Sequence, residues 1–137
     1  TNYANKVKSG LEGLKKNEFL LIHVEAPDEC GHQGRPDLKV KAIEDFDCHI
    51  VGPILDWAEE NGDCDIMVLP DHPTPCAFRT HVSEPVPVLI CTINASKTEK
   101  KVSTYCEKTA KESNLLIDHG HDLMGFFMRN SWKTAIR

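Results

Sequence analysis

The sequence has 137 residues, with 16 basic and 21 acidic side chains and a formal net charge of −5. This length predicts one compact domain with its own hydrophobic core. The acidic balance disfavours nucleic acid and acidic membrane surfaces as partners, because both require a basic face. No apolar run approaches the ~20 residues that span a bilayer, and the start has no signal pattern.

The six cysteines are spread along the chain without any CxxC pair. That spacing indicates neither a zinc knuckle nor a thioredoxin-like site, and it favours the reduced thiols of a cytoplasmic protein. The spacing of the cysteines alone does not exclude a disulfide bridge. The chain begins at Thr1 without a methionine and runs directly into a helical pattern, which we interpret as part of a longer polypeptide.

The first third of the chain predicts a helix, a strand and a loop. Asn2 is a suitable N-cap for a helix to about Lys16. Residues 19–24 are nearly all apolar, which is typical of a strand covered on both faces. Residues 25–36 contain two prolines and two glycines, so we expect a loop there.

The middle of the chain predicts a long helix followed by a second strand. Asp37 caps the helix, which continues to about Asn61 and is kinked or broken at Pro53. Residues 64–69 form the next strand. Strand, helix and strand in this order predict a βαβ unit with a right-handed crossover. The predicted apolar face of the helix consists of Val40, Ile43, Phe46, Ile50, Ile54 and Trp57.

The last third predicts one more strand and two more helices. Residues 86–92 suit a strand at an edge of the sheet, because prolines stand at its start. Residues 94–103 are polar and predict a solvated connection, and residues 104–113 are weakly helical. Asp118 begins a final amphipathic helix with Leu123 on its inner face. The predicted class is α/β, with a mostly parallel sheet flanked by helices.

Two Asp–His pairs follow the first two predicted strands. Asp28 and His32 come after the first strand, and Asp71 and His72 come directly after the second. Since the carboxyl ends of parallel strands lie at one edge of a sheet, both pairs should meet there. His81 follows after a loop long enough to turn back toward them. Carboxylate and imidazole together suit Mn²⁺, Zn²⁺ or Fe²⁺, so we expect a metal site.

Each candidate also has a plainer interpretation. An aspartate taken singly is more often a turn or capping residue, and a lone histidine is more often a surface or packed residue. Jointly, the five side chains favour a site. Arg79 is a candidate phosphate-binding residue, although an ion-paired or solvated arginine is about as common. We expect core, helical or capping roles for the remaining histidines, His23, His49, His119 and His121.

Several stretches resemble the archaeal-type cofactor-independent phosphoglycerate mutases of the alkaline phosphatase superfamily. The two longest are HVEAPDECGH at residues 23–32 and LPDHPTP at residues 69–75. The shorter stretches are KAIED at 41–45, RTH at 79–81, PVPV at 85–88, EKTAKES at 107–113 and HDLM at 121–124. The resemblance covers nearly the whole chain and places it in the C-terminal part of such an enzyme.

The resemblance implies two divalent metal ions, Mn²⁺ first, with Zn²⁺ or Mg²⁺ as alternatives. Asp28, His32 and His81 would hold one ion, and Asp71 and His72 would hold the other. The family's nucleophilic serine, and one more aspartate, should lie outside this chain, N-terminal to Thr1. The implied reaction interconverts 3-phosphoglycerate and 2-phosphoglycerate through a phosphoserine.

Two other functions stay open at this point. A related enzyme of the superfamily, such as a phosphatase or a homoserine kinase, would share the metal-binding half of the site. A non-catalytic metal-binding or structural α/β module is the alternative from a different class. We expect this chain alone to be inactive, because the nucleophile is not in it.

Overall fold

A computed structural model describes residues 1–93 and 104–135. The first helix, α1, spans Tyr3–Leu14. Its predicted N-cap is confirmed, because Asn2 Oδ1 accepts a hydrogen bond from the backbone N–H of Asn5 at 3.1 Å. Val7 faces the core. Gly10 on the same helix lets the chain pack closely, since a Cβ there would lie 2.9 Å from Leu20.

Residues 19–24 are extended but do not form the predicted strand. Every second side chain is more exposed, as in a strand, and Leu21 is 67% exposed. Within the described ranges, however, no backbone group of this segment hydrogen-bonds to another backbone group. The apolar pattern was read correctly as extended, but a strand requires a paired neighbour. The predicted βαβ unit is therefore wrong in the described part of the chain.

Residues 25–36 are largely helical, which corrects the predicted loop. Helix α2 spans Ala26–His32. Pro27 lies in its first turn, where a missing N–H costs nothing because that group has no partner inside a helix. Asp28 and Glu29 also favour this end, since their charge complements the helix dipole. Gly34, with a φ of 65°, stands just beyond the helix, where a left-handed residue is common.

The predicted long helix is present, with an irregular middle. It consists of α3 at Pro36–Phe46, a π-helical turn at Asp47–Val51 and α4 at Gly52–Asn61. The π-turn ends two residues before Pro53, whose ring and missing N–H disturb the regular hydrogen-bond ladder of the preceding turn. The helix is thus irregular just before Pro53 but continues through it, so the expected kink or break takes the form of a π-helical turn, and Arg35 rather than Asp37 occupies the N-cap.

The apolar face of this long helix is only partly as predicted. Ile50 is 2% exposed, but Val40 is 57% and Ile43 is 51% exposed. The π-turn offers a physical reason, because an inserted residue rotates the two halves of the helix relative to each other. Ala42 and Ala58 instead supply buried positions.

Two strands form the sheet of the described residues. Strand β1 spans Cys64–Val68 and strand β2 spans Leu89–Ile93. They pair antiparallel, with Cys64 opposite Ile93 and Val68 opposite Leu89. Both strands were predicted, but the mostly parallel arrangement was not correct for this pair. The reason is the connection, since residues 69–88 contain no crossover helix that could return the chain to a parallel start.

Three short helices follow. They are α5 at Glu107–Glu112, α6 at Gly120–Met128 and α7 at Trp132–Ala135. The two predicted helices in this part are confirmed, whereas the predicted connection at 94–103 lies outside the described residues. Helices and strands together confirm the α/β class. In the described part of the chain, no helix is long and apolar enough to cross a membrane.

Candidate metal centre

Helix α2 places the first two predicted ligands on one helical face. Asp28 and His32 are four residues apart, so they project from successive turns toward the same side. The Oδ2 of Asp28 lies 3.4 Å from Nε2 of His32. A helix therefore holds Asp28 and His32, whereas the sequence analysis predicts a loop at these residues.

The ring of His32 is oriented by a backbone carbonyl. Its Nδ1 lies 3.0 Å from the carbonyl oxygen of Arg79. A carbonyl only accepts, so Nδ1 carries the proton and Nε2 presents a lone pair. Arg79 has a φ of 54°, a left-handed conformation that is uncommon for a residue other than glycine. This local strain turns its carbonyl toward α2.

His81 completes a cluster of three donor groups. Its Nε2 lies 3.1 Å from Nε2 of His32 and 3.4 Å from Oδ1 of Asp28. One donor atom from each residue falls within 4.8 Å of the others. Two imidazoles and one carboxylate thus converge, at a separation that suits a shared cation. Zinc and other transition metals bind such sets of three side chains and keep another position open.

Asp71 and His72 lie beside this cluster. The Nε2 of His72 is 3.5 Å from Oδ2 of Asp71. The ring of His72 also lies against that of His81, tilted by 30° with 3.6 Å between the centroids. All five predicted ligand residues are therefore neighbours. Their assignment to two separate ions remains a prediction from the resemblance.

Thr74 connects the two groups of predicted ligands and was not singled out from the sequence. It is the one buried polar residue among those described, at 3% exposed. Its hydroxyl donates to Asp28 Oδ1 at 2.5 Å and lies 3.2 Å from Nδ1 of His72. Its carbonyl accepts a hydrogen bond from Lys39 Nζ at 2.7 Å. The one feature of the sequence that could have indicated Thr74 is its position as a hydroxyl residue between two prolines.

The surroundings of Asp28 favour its ionised form. The hydrogen bond from Thr74 lowers the pKa of the Asp28 carboxyl, and the nearby His32, His81 and His72 lower it further. Partial burial acts in the opposite direction, but the net shift is downward. An ionised carboxylate is the form that binds a metal, so the site is prepared electrostatically for a cation.

The other candidate residues lie at the margin. The guanidinium of Arg79 rests against Gly34, where an added Cβ would be 2.5 Å from Nε, and its predicted role in substrate binding stays a prediction. His23 lies 4.0 Å from Asp71 Oδ2. His119 and His121 stack on each other at the start of α6. In the part of the chain described, Asp28, His32 and His81 are the one group of three such side chains whose donor atoms lie within 4.8 Å of one another.

A family model described as the Metalloenzyme superfamily matches residues 1–128. A 2,3-bisphosphoglycerate-independent phosphoglycerate mutase from Methanosarcina mazei is 40% identical over 131 residues, which are 95% of this chain and 33% of the relative. A probable enzyme of the same name from Geobacter sulfurreducens is 43% identical over 90% of this chain and 31% of its own length. The chain thus spans about a third of the curated relatives it matches.

A solved structure is also similar. The PH0037 protein from Pyrococcus horikoshii is 32% identical, with a TM-score of 0.77. The match covers 94% of this chain and 38% of that protein. At this identity and score, the two chains share a fold over nearly all of the present sequence.

Proposed function

This chain belongs to the Metalloenzyme superfamily, with an alkaline-phosphatase-like α/β fold, and we propose that it supplies the metal-binding half of a phosphoglycerate mutase. Membership in the superfamily implies binding of a divalent metal. The observation that carries the proposal is the convergence of Asp28, His32 and His81 within 4.8 Å, beside the Asp71–His72 pair. The names of the relatives supply the substrate class.

We assign Asp28, His32 and His81 to one ion and Asp71 and His72 to the second, with Mn²⁺ as the first choice and Zn²⁺ or Mg²⁺ as alternatives. When bound, such ions neutralise phosphate oxygens and lower the pKa of an attacking hydroxyl. The unprotonated Nε2 of His32 and the ionised Asp28 suit this chemistry. The rings of His81 and His72 are in contact, which keeps the two groups of ligands adjacent.

The reaction we propose is the glycolytic interconversion of 3-phosphoglycerate and 2-phosphoglycerate through a phosphoserine. The serine is expected in another part of the polypeptide, so residues 1–137 form one part of the catalytic domain. Arg79 is proposed to bind the substrate phosphate, because it sits two residues before His81 and carries a planar, bidentate donor. The six cysteines are free, which supports a reducing, cytoplasmic setting.

A chimera tests this function. The matching third of the Methanosarcina mazei relative is replaced by this chain, and conversion of 3-phosphoglycerate is measured with Mn²⁺ by an enolase-coupled assay. We expect the chimera to be active and the same chimera with Asp71→Ala to be inactive, because Asp71 would then no longer hold its ion. The 137-residue chain alone should show no conversion.

Three outcomes would contradict the proposal. A chimera that folds and binds Mn²⁺ like its parent, yet converts no 3-phosphoglycerate, would favour the non-catalytic module. Release of inorganic phosphate from a phosphate ester, without formation of 2-phosphoglycerate, would favour a related phosphatase. Conversion of 3-phosphoglycerate by the 137-residue chain alone would contradict the external nucleophile.

A further inference from the structure

The two groups of ligands meet at a single buried hydroxyl. Asp28 belongs to the first group and His72 to the second, and both contact Oγ1 of Thr74, at 2.5 Å and 3.2 Å. Thr74 is also the most enclosed polar side chain among the described residues. A buried polar group is costly unless it is hydrogen-bonded, so these two contacts define its position.

The donors and acceptors in this group have one consistent arrangement. The hydroxyl of Thr74 has a single hydrogen, and ionised Asp28 can only accept, so that hydrogen points at Asp28. The oxygen of Thr74 must then accept from His72, which places the proton of the imidazole on Nδ1. The Nε2 of His72 is left with a free lone pair, on the side that faces Asp71 at 3.5 Å.

The backbone around Thr74 is held from two further sides. Its carbonyl accepts from Lys39 of α3 at 2.7 Å. The same carbonyl lies so close to α2 that a Cβ on Gly31 would be 2.4 Å from it. Proline stands on each side of Thr74 in the sequence and restricts the backbone there. The hydroxyl is thus presented in a fixed direction.

We propose that Thr74 is a positioning residue that joins the two metal half-sites, holding the Asp28 carboxylate in one and the His72 ring in the other. Partners that orient ligands in this way tune the affinity of a metal site and fix the tautomer of its histidines. Thr74 has this role only if the chain binds the two ions of the proposed function. A change at Thr74 should therefore affect metal binding at both half-sites together.

Metal titration of three variants tests this role. Mn²⁺ binding to the 137-residue chain is measured by calorimetry for Thr74→Val, which removes the hydroxyl at similar size, and for Thr74→Ser, which keeps it. We expect Thr74→Val to weaken binding by about 10- to 100-fold, as loss of an orienting partner typically does. Thr74→Ser should stay near the wild-type affinity, because its hydroxyl can make both contacts.

The matched control is Thr92→Val. Thr92 also donates to an aspartate, Oδ1 of Asp65 at 2.5 Å, but in the sheet and away from the ligands. We expect its Mn²⁺ affinity to be unchanged. Equal weakening in Thr74→Val and Thr92→Val would show a general loss of stability and overturn the proposal, as would an unchanged affinity in Thr74→Val.

A measurement on the wild-type chain keeps the test decisive if Thr74→Val does not fold. Long-range ¹H–¹⁵N NMR of the metal-free chain at about pH 8, above the ordinary histidine pKa of about 6.5, reports the tautomer of each ring. We expect the proton of His72 on Nδ1, and a proton on Nε2 would overturn the proposal. The chimera measures mutase activity, whereas the His72 tautomer and the Mn²⁺ affinities are measured on this chain. An inactive chimera would therefore contradict the mutase function without contradicting the role of Thr74.

Discussion

The ligand loop, residues 70–82, and the extended segment, residues 19–24, are both irregular but differ in what holds them. The ligand loop is tied by its own backbone, with Val82 N–H donating to Pro73 at 3.1 Å and Arg79 N–H donating to Pro75 at 2.9 Å. The extended segment makes no backbone–backbone hydrogen bond within the described ranges. It borders a wide cavity of about 1620 Å³ that it shares with β1.

Because of this difference, the positions of the predicted metal ligands do not depend on β1 and β2. The ligand loop is fixed by contacts with α2 and α3, through Thr74, His32 and Lys39. None of those contacts involves residues 19–24, whose contact with the ligand loop is the approach of His23 to Asp71 Oδ2 at 4.0 Å. We therefore expect this chain alone to hold Asp28, His32 and His81 in place. The sheet side, which consists of β1, β2 and Tyr105, should keep its stability when a ligand is changed.

The largest effect is expected from removal of a ligand. His81→Ala and Asp28→Ala each delete one of the three convergent donors, and the two remaining groups cannot enclose a cation. We expect Mn²⁺ affinity to fall by more than the ~10- to 100-fold typical of an orienting partner. Calorimetry on the 137-residue chain measures this loss.

The control for ligand removal is His121→Ala. The His121 side chain is 81% exposed and lies beside Asp122 rather than in the cluster, so its loss should leave Mn²⁺ binding unchanged. If His81→Ala and Asp28→Ala bind Mn²⁺ as tightly as the wild type, these residues do not share a site. The ligand loop would then be ordered for some other purpose than metal binding.

An intermediate effect is expected at the contact between α2 and the ligand loop. In Gly31→Ala the new Cβ would lie 2.4 Å from the carbonyl oxygen of Thr74, so helix and loop must separate. Such overpacking typically costs ~1–3 kcal/mol in the free energy of unfolding. Urea denaturation measures this cost, and Mn²⁺ titration should show weaker binding because Asp28 moves away from His81.

Gly13→Ala is the matched control for this substitution. Gly13 is also helical, but nothing lies within 4 Å of its added Cβ. Alanine in a helix is favoured over glycine by roughly 0.5–1 kcal/mol, so this variant should be slightly more stable with unchanged Mn²⁺ binding. A Gly31→Ala variant that behaves like Gly13→Ala would show that α2 and the ligand loop are not in tight contact.

Gly31 also shows why the sequence predicted which residues lie close together better than it predicted their local structure. The spacing of Asp28 and His32 fits either a helix or a loop, and the nearby glycines and prolines favoured a loop. Pro27 is compatible with the first turn of a helix. Gly31 serves the approach of the Thr74 carbonyl, a contact between residues 43 positions apart that no local pattern contains.

The predicted pairing of the strands was wrong for a related reason. Periodicity identifies an extended, apolar segment, and residues 19–24, 64–68 and 89–93 are all extended. It does not report which segments pair, nor in which direction, because pairing depends on residues that are distant in sequence. Residues 69–88 determined the direction of β2, and only the three-dimensional structure shows that they return without a helix.

The smallest effect is expected on the sheet side, at Tyr105. Its hydroxyl donates to the carbonyl oxygen of Pro87 at 3.0 Å and lies 3.4 Å from that of Val68, so it links the ends of the two strands. Removing this hydrogen bond in Tyr105→Phe should lower the free energy of unfolding by about 1 kcal/mol. Mn²⁺ affinity should not change, because no ligand contacts Tyr105.

The contribution of Tyr105 to the free energy of unfolding should also depend on pH. Although Tyr105 is 42% exposed, burial of the phenol raises its pKa from 10.0 to about 12. A raised pKa in the folded state means that the neutral phenol stabilises the fold fully below pH 10 and progressively less toward pH 12. The stability advantage of the wild type over Tyr105→Phe, measured by urea denaturation, should therefore shrink across that interval. An advantage that stays constant up to pH 12 would show that the Tyr105 hydroxyl is open to solvent, and that the sheet side lacks this link between its strands.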